Sequence, residues 1–278
     1  MYDTHPGLDM TKLRALRGRN VSHKDLLERI AAHLEDHDGY VALSGGKDSV
    51  VVAHLARQVD PRVPMVWFDS GGEFPETRTY IHHLVEEWDL NLTITRTTPT
   101  LIEALRQSGT WDHHAPAGAT LNLHEAMIQT PARAAHELHG PGELWGVRSA
   151  ESHGRRTMYR VQLRQQIAAS CHGCCPTPAQ QRRTHGGIVA RVDGTTAYSP
   201  IWSWPTDRVW EYLATHAIDP NPVYAKLRAL GAPEKSLRVS HLLDGSHLNT
   251  GRITWLRRGW PDLYEQLVDA LPRITEFV

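Results

Sequence analysis

The chain has 278 residues, 40% of them hydrophobic, and a formal net charge of −1. That suits one large α/β domain or a domain with a smaller appendage, and the neutral balance predicts neither a nucleic-acid nor a membrane partner from global charge. No apolar run reaches the roughly 18 residues of a membrane span, residues 1–22 lack a signal-peptide apolar core, and the three cysteines, all within 171–175, make no secreted disulfide framework; a cytoplasmic location is expected.

In chain order, Leu26, Leu27, Ile30, Ala31 and Leu34 recur at helical spacing, with Ser22 as the expected N-cap. Residues 40–43 read as a buried strand, 44–49 as a small-residue turn and 50–56 as a helix. A second strand over 64–68 leads into the loop 69–73, and Pro75 opens a helix carrying Tyr80, Ile81, Leu84, Val85 and Trp88. Residues 90–95 alternate as a third strand. Helical segments follow near 101–107 and 123–139, the latter interrupted or started by Pro131, and 143–147 reads as a fourth strand. Strands alternating with helices imply an α/β fold: a mostly parallel twisted sheet with helices on both faces. Ligands of such sheets sit beyond the carboxyl ends of the strands, so the turns after Leu43, Phe68 and Val147 are expected to line one site.

Past Arg160 the pattern weakens. Residues 171–187 read as a loop or insertion, 188–192 and 196–198 as a hairpin across Asp193-Gly194, and 206–216, 223–230 and 261–271 as helices. From Glu151 to Arg191 there are seven arginines against one acid, which reads as an anion-facing segment or an ordinary solvated face.

The most informative segment is Ser44-Gly45-Gly46-Lys47-Asp48-Ser49. Strand, Gly-rich turn and helix aim backbone N–H groups and the positive helix end at one spot, where a phosphate or pyrophosphate fits. Gly45 and Gly46 permit close approach, Lys47 adds a positive charge, and Ser44 and Ser49 add hydroxyls. The G-x-x-x-x-G-K-S/T spacing of the common P-loop is absent. The segment resembles the PP-loop of the ATP pyrophosphatases, or adenine nucleotide alpha hydrolases, which cleave ATP between the α and β phosphates.

Three later stretches resemble one branch of that superfamily, the phosphoadenosine phosphosulfate (PAPS) reductases and the ATP sulfurylase small subunit. The first is residues 68–77, with Asp69, Gly71, Glu73 and Pro75-Glu76-Thr77, one residue longer than the branch pattern. There Asp69, helped by Glu73, is expected to hold Mg²⁺ or a ribose hydroxyl, since Mg²⁺ prefers hard oxygen ligands. The second is residues 145–156, where Arg148 is expected to grip phosphate bidentately. Glu151 would orient Arg148 or Arg155, and Arg155 or Arg156 would supply a second cation. The third is residues 199–213 with Asn221-Pro222-Val223-Tyr224 following, whose Trp204, Trp210 and Tyr212 read as packing. The resemblance covers roughly residues 35–275, and the pattern along the chain divides it into a nucleotide-binding α/β core over 1–160, a Cys/Arg-rich insertion or hairpin over 161–198 and a mainly helical part of the same domain over 199–278.

Lys47, Asp48 and Arg148 are the expected catalytic residues, with ATP and Mg²⁺ as substrate and cofactor. A thiol-dependent PAPS reductase of this branch carries a nucleophilic cysteine near its C-terminus, and no cysteine follows Cys175. The expected activity is therefore adenylation of a substrate with release of AMP and pyrophosphate, with nucleic acid, in sulfur transfer, or protein as acceptor. The alternatives are sulfonucleotide reduction or sulfotransfer, and a non-catalytic ATP-binding subunit of a complex; a homo-oligomer or partner subunit fits either. Cys171, Cys174 and Cys175 read as ligands of a 4Fe–4S cluster or, with His172 or His185, of zinc; redox thiols and a silent loop are the other readings.

Overall fold

The computed structural model describes residues 10–19, 21–108, 121–173, 175–239 and 251–278. Helices α1 (Met10–Leu16) and α2 (Lys24–Asp36) lead into β1 (Gly39–Ala42), followed by α3 (Lys47–Val59), β2 (Met65–Asp69), α4 (Pro75–Trp88), β3 (Leu92–Arg96) and α5 (Leu101–Ser108). A π-helical turn, Glu125–Gln129, runs straight into α6 (Thr130–His139), where Pro131 occupies the first turn. Then come β4 (Gly142–Leu144), α7 (His153–Ser170), α8 (Pro178–His185), β5 (Ile188–Ala190), β6 (Thr196–Tyr198), α9 (Thr206–Thr215), α10 (Val223–Ala229), α11 (Arg252–Gly259) and α12 (Pro261–Ala270).

The six strands form one sheet in the order β3-β2-β1-β4-β6-β5, parallel throughout except for the β5–β6 hairpin at one edge. The chain builds outward from β1 to β2 and β3, then crosses back to lay β4 on the other side of β1. The strand order therefore reverses between β1 and β4. In open α/β sheets the crevice at that reversal is where ligands bind.

Alternate residues of each strand face opposite layers. Val41 and Met65 point into the main core with α3 and the C-terminal helices, whereas Tyr40 and Val66 pack with Ala135 of α6 on the other face. Helix α3 is buried almost all round, through Val50, Val51, Val52, Ala53, Leu55 and Ala56. Its run of valines has strand propensity; packing between the sheet and α9 overrides it.

Two expectations need correction. Ser22 does not cap α2: His23 is the capping residue and makes no side-chain cap bond, its ring lying instead 4.9 Å from Tyr212. The stretch 171–187 is not all loop, because residues 178–185 form α8, started by a reciprocal Thr177–Gln180 capping box.

Candidate nucleotide site

The turn after β1 is closed by its own side chains. Ser49 Oγ donates to the Gly46 carbonyl at 3.0 Å and accepts from Ser44 N–H at 3.1 Å, and the two serine hydroxyls are 3.0 Å apart. Gly45 has φ +71°, a left-handed conformation that costs an L side chain about 1–2 kcal/mol. Its carbonyl accepts from buried Asn221, which also donates to Thr77. The Lys47 N–H donates to the Tyr224 hydroxyl at 3.0 Å, so α10 fixes the first turn of α3.

The turn after β4 packs directly on that first turn. A Cβ at Gly146 would stand 2.6 Å from Ser49 N, closer than any side chain tolerates. Arg148, next along, is only 2% exposed. Its Nε donates to Asp48 Oδ1 at 2.6 Å, one terminal nitrogen to the Trp204 carbonyl at 2.9 Å and the other toward Thr206 at 3.4 Å. Arg148 thus acts as a strut, three of its five guanidinium N–H groups locking α3, the β4 turn and the start of α9 together, while it also lines a cavity at the loop. Asp48 is its counter-ion, and the other Asp48 oxygen accepts from Lys47 Nζ at 2.7 Å.

Lys47 is nearly buried. Burial alone would lower its pKa, but Tyr224 and Asp48 outweigh it and raise the value, so the ammonium is retained. Glu151 accepts from the Arg148 N–H at 2.9 Å and pairs with Arg155. It therefore touches both residues named for it, Arg148 through the backbone and Arg155 through the side chain. Arg156 is exposed and lines neither cavity described next.

Two cavities meet at the loop and share Ser44, Gly46, Asp48, Glu151 and Arg155 in their walls. One, about 280 Å³, is walled by Leu43, Trp67, Phe68, Trp145 and Val147, surfaces suited to a flat apolar base. The other, about 560 Å³, is lined by Lys47, Arg148, Arg155, Lys235 and Arg238 against Asp48, Glu151 and Glu234. Five cations facing three carboxylates leave it electropositive. A larger cavity, about 880 Å³, lies between α2, α8 and residues 200–208 and shares no residue with the loop.

The turn after β2 departs from expectation. Strand residues Trp67 and Phe68 reach the base-sized cavity, but Asp69, Gly71 and Glu73 line neither chamber. Both Asp69 oxygens are taken by Arg78, at 2.7 and 3.1 Å, with the Gly71 N–H on Oδ1. Burial would raise the Asp69 pKa, but these bonds hold it down at about 2. Glu73 accepts from the Ser70 N–H and hydroxyl, while its Oε2 is buried without a partner. Burial and the neighbouring Asp69 push its pKa up despite the Ser70 bonds. With both Asp69 oxygens held by Arg78, the residues present do not fit Mg²⁺ at Asp69.

Cys171 and Cys175 come together with His185, their ligand atoms within 4.8 Å of one another; Cys174 lies outside the described residues. The trio sits at the far end of α7, whose 18 residues span about 27 Å, so it is not part of the two chambers. Sequence reasoning missed Tyr224, Asn221, Lys235 and Arg238. Tyr224 and Asn221 sat within a recognised stretch but carried no spacing signal pointing to the loop.

The open sheet, its reversal point and the glycine turn define a nucleotide-binding α/β protein. A family model for the phosphoadenosine phosphosulfate reductase domain matches residues 39–234, and the chain belongs to that family, a branch of the PP-loop superfamily. The phosphoadenosine 5′-phosphosulfate reductase of Xanthomonas campestris pv. campestris (strain B100) is 28% identical over 201 residues, covering 71% of this chain and 71% of that protein. That of Citrobacter koseri is 25% identical over 222 residues, covering 79% of each. Among solved structures, the PAPS reductase from Candida auris in its phosphate complex is 17% identical with a TM-score of 0.48, covering 80% of this chain and 97% of that one. No helix among the described residues is long and apolar enough to cross a membrane.

Proposed function

We propose that this chain is an enzyme acting on the phosphate end of an adenine nucleotide of the phosphoadenosine phosphosulfate class. The observation that carries the reading is the glycine turn shared by an apolar chamber of base size and an electropositive chamber holding Lys47 and Arg155. The base enters the first and the phosphates lie across residues 44–49 into the second. A thiolate from a co-reactant attacks sulfur and breaks the sulfur–oxygen bond to the phosphate. The electron pair leaves on the phosphate oxygen, next to Lys47 and Arg155, and a second thiol then releases sulfite with formation of a disulfide. Catalysis on the protein's side is positioning and stabilisation of that leaving charge.

A second reading, cleavage of ATP to AMP and pyrophosphate by an attacking acceptor, rests on a different observation. No cysteine lines either chamber among the described residues, and attack at the α phosphorus needs no thiol. Mg²⁺ would then arrive with the phosphates, and the exposed Arg156, Arg160 and Arg164 on α7 favour a nucleic-acid acceptor.

Incubation with phosphoadenosine phosphosulfate plus a dithiol, and separately with MgATP plus candidate acceptors, distinguishes the two. Sulfite with adenosine 3′,5′-bisphosphate supports the first reading; AMP with pyrophosphate supports the second. ADP with phosphate, or failure to bind either nucleotide, contradicts both.

A further inference from the structure

Helices α7 and α8 are poorly fastened by apolar packing. Tyr159 is the buried residue of α7, and His185 that of α8. At the point where their C-terminal ends meet, two thiols and an imidazole converge. Cys171 is the first residue past α7, Cys175 sits in the connecting loop, and His185 is the last residue of α8.

The spacing is that of ligands to one ion. Cys175 Sγ lies 3.7 Å from His185 Nε2; sulfur and nitrogen bound tetrahedrally to zinc at their usual bond lengths stand about 3.5 Å apart. Cys175 is 6% and His185 8% exposed, so the ion would be screened from bulk water on that side. The imidazole is already oriented for the task. Ser170 donates its hydroxyl proton to the Gln166 carbonyl at 2.8 Å, leaving its oxygen to accept from His185 Nδ1–H at 3.2 Å. A proton on Nδ1 puts the lone pair on Nε2, the nitrogen that faces Cys175. Metal-bound histidines are characteristically held in this way through their other nitrogen. The loop is fixed as well: Gln181 donates to the Cys175 carbonyl at 3.2 Å.

We propose that Cys171, Cys175 and His185 bind a single zinc-class divalent cation that clamps the end of α7 to the end of α8. Two sulfurs and one imidazole nitrogen select zinc over the hard oxygen-seeking cations. Among the described residues the donors are two thiols and one imidazole, a set that suits a mononuclear site. Binding releases the thiol protons, and the fourth tetrahedral position takes water or a further donor. The whole length of α7 separates this ion from Lys47 and Arg155, so its role is structural and independent of the nucleotide reading.

The test uses the full chain purified under reducing conditions without chelator. Elemental analysis should find one zinc per chain, falling at least about tenfold in Cys175→Ser and His185→Ala. Chelator-stripped protein titrated with cobalt(II) should develop the visible bands and thiolate charge-transfer absorption of tetrahedral, sulfur-bound cobalt, saturating at one equivalent. Chelation should also lower the melting temperature while leaving nucleotide affinity unchanged. Iron with acid-labile sulfide, or a wild-type chain that retains no zinc and gives no cobalt bands, would overturn the proposal. The wild-type cobalt titration decides the matter alone if either variant fails to fold.

Discussion

Arg148 donates from Nε to Asp48 Oδ1 at 2.6 Å, joining the turn after β4 to the first turn of α3. The same Asp48 also accepts from Lys47, so one carboxylate neutralises a buried strut and holds the loop lysine beside the pocket. Removing a single partner from a buried pair leaves a charge uncompensated, which costs about 3–5 kcal/mol. Asp48→Asn should therefore lower the urea midpoint markedly, measured by tryptophan fluorescence. Asp48→Asn with Arg148→Met, which removes the buried guanidinium as well, should recover part of that loss, with Lys47 still lacking its partner.

The two glycines of the site should fail for different reasons. Gly146→Ala sets a methyl 2.6 Å from Ser49 N, and overpacking of this kind costs about 1–3 kcal/mol. Gly45→Ala meets only side chains at about 3.1 Å, but must adopt φ +71° at about 1–2 kcal/mol. Thermal denaturation should show both losses.

Acid should weaken the fold through a histidine cluster outside the site. His54 shares a hydrogen bond with Tyr212 at 2.9 Å and lies 5.0 Å from His216, ring to ring. Burial first, then the charges of His216, Arg57 and His23, lower its pKa from 6.5 to about 4. A depressed folded-state pKa means that the unfolded chain binds the proton first. The contribution is complete above 6.5 and is lost as pH falls toward 4. Melting temperature against pH should fall through that window, and His54→Gln should flatten the fall. A curve unchanged by the substitution would contradict the assignment.

Much of the architecture was legible because it rests on apolar pattern. Residues 40–43, 64–68 and 90–95 are short apolar or alternating runs between helix-length segments, and they became β1, β2 and β3. Helices α7 and α8 were not legible, since each buries one residue and a helix without an apolar stripe gives no periodic signal. In the site, residues 44–49 could be read because a glycine turn between strand and helix has a local cause. The roles of Arg148 and Asp69 could not. Asp69 ends β2 and Arg148 follows β4 by four residues, each with the right charge, but whether such a group faces a ligand or another side chain depends on which partner the folded chain brings to it, near in sequence for Asp69 and distant for Arg148. Arg148 meets Trp204 and Thr206, and Asp69 meets Arg78.

Whether Lys47 and Arg155 grip nucleotide phosphates is read from calorimetric titration with phosphoadenosine phosphosulfate and with MgATP. At least one of the two nucleotides should bind the wild-type chain. Lys47→Ala and Arg155→Ala should each weaken that binding by about 10- to 100-fold, the worth of a charge-assisted hydrogen bond, while Arg156→Ala stays within about twofold because its side chain is solvated. Equal affinities across all four proteins, or a wild-type chain that binds neither nucleotide, would contradict that grip.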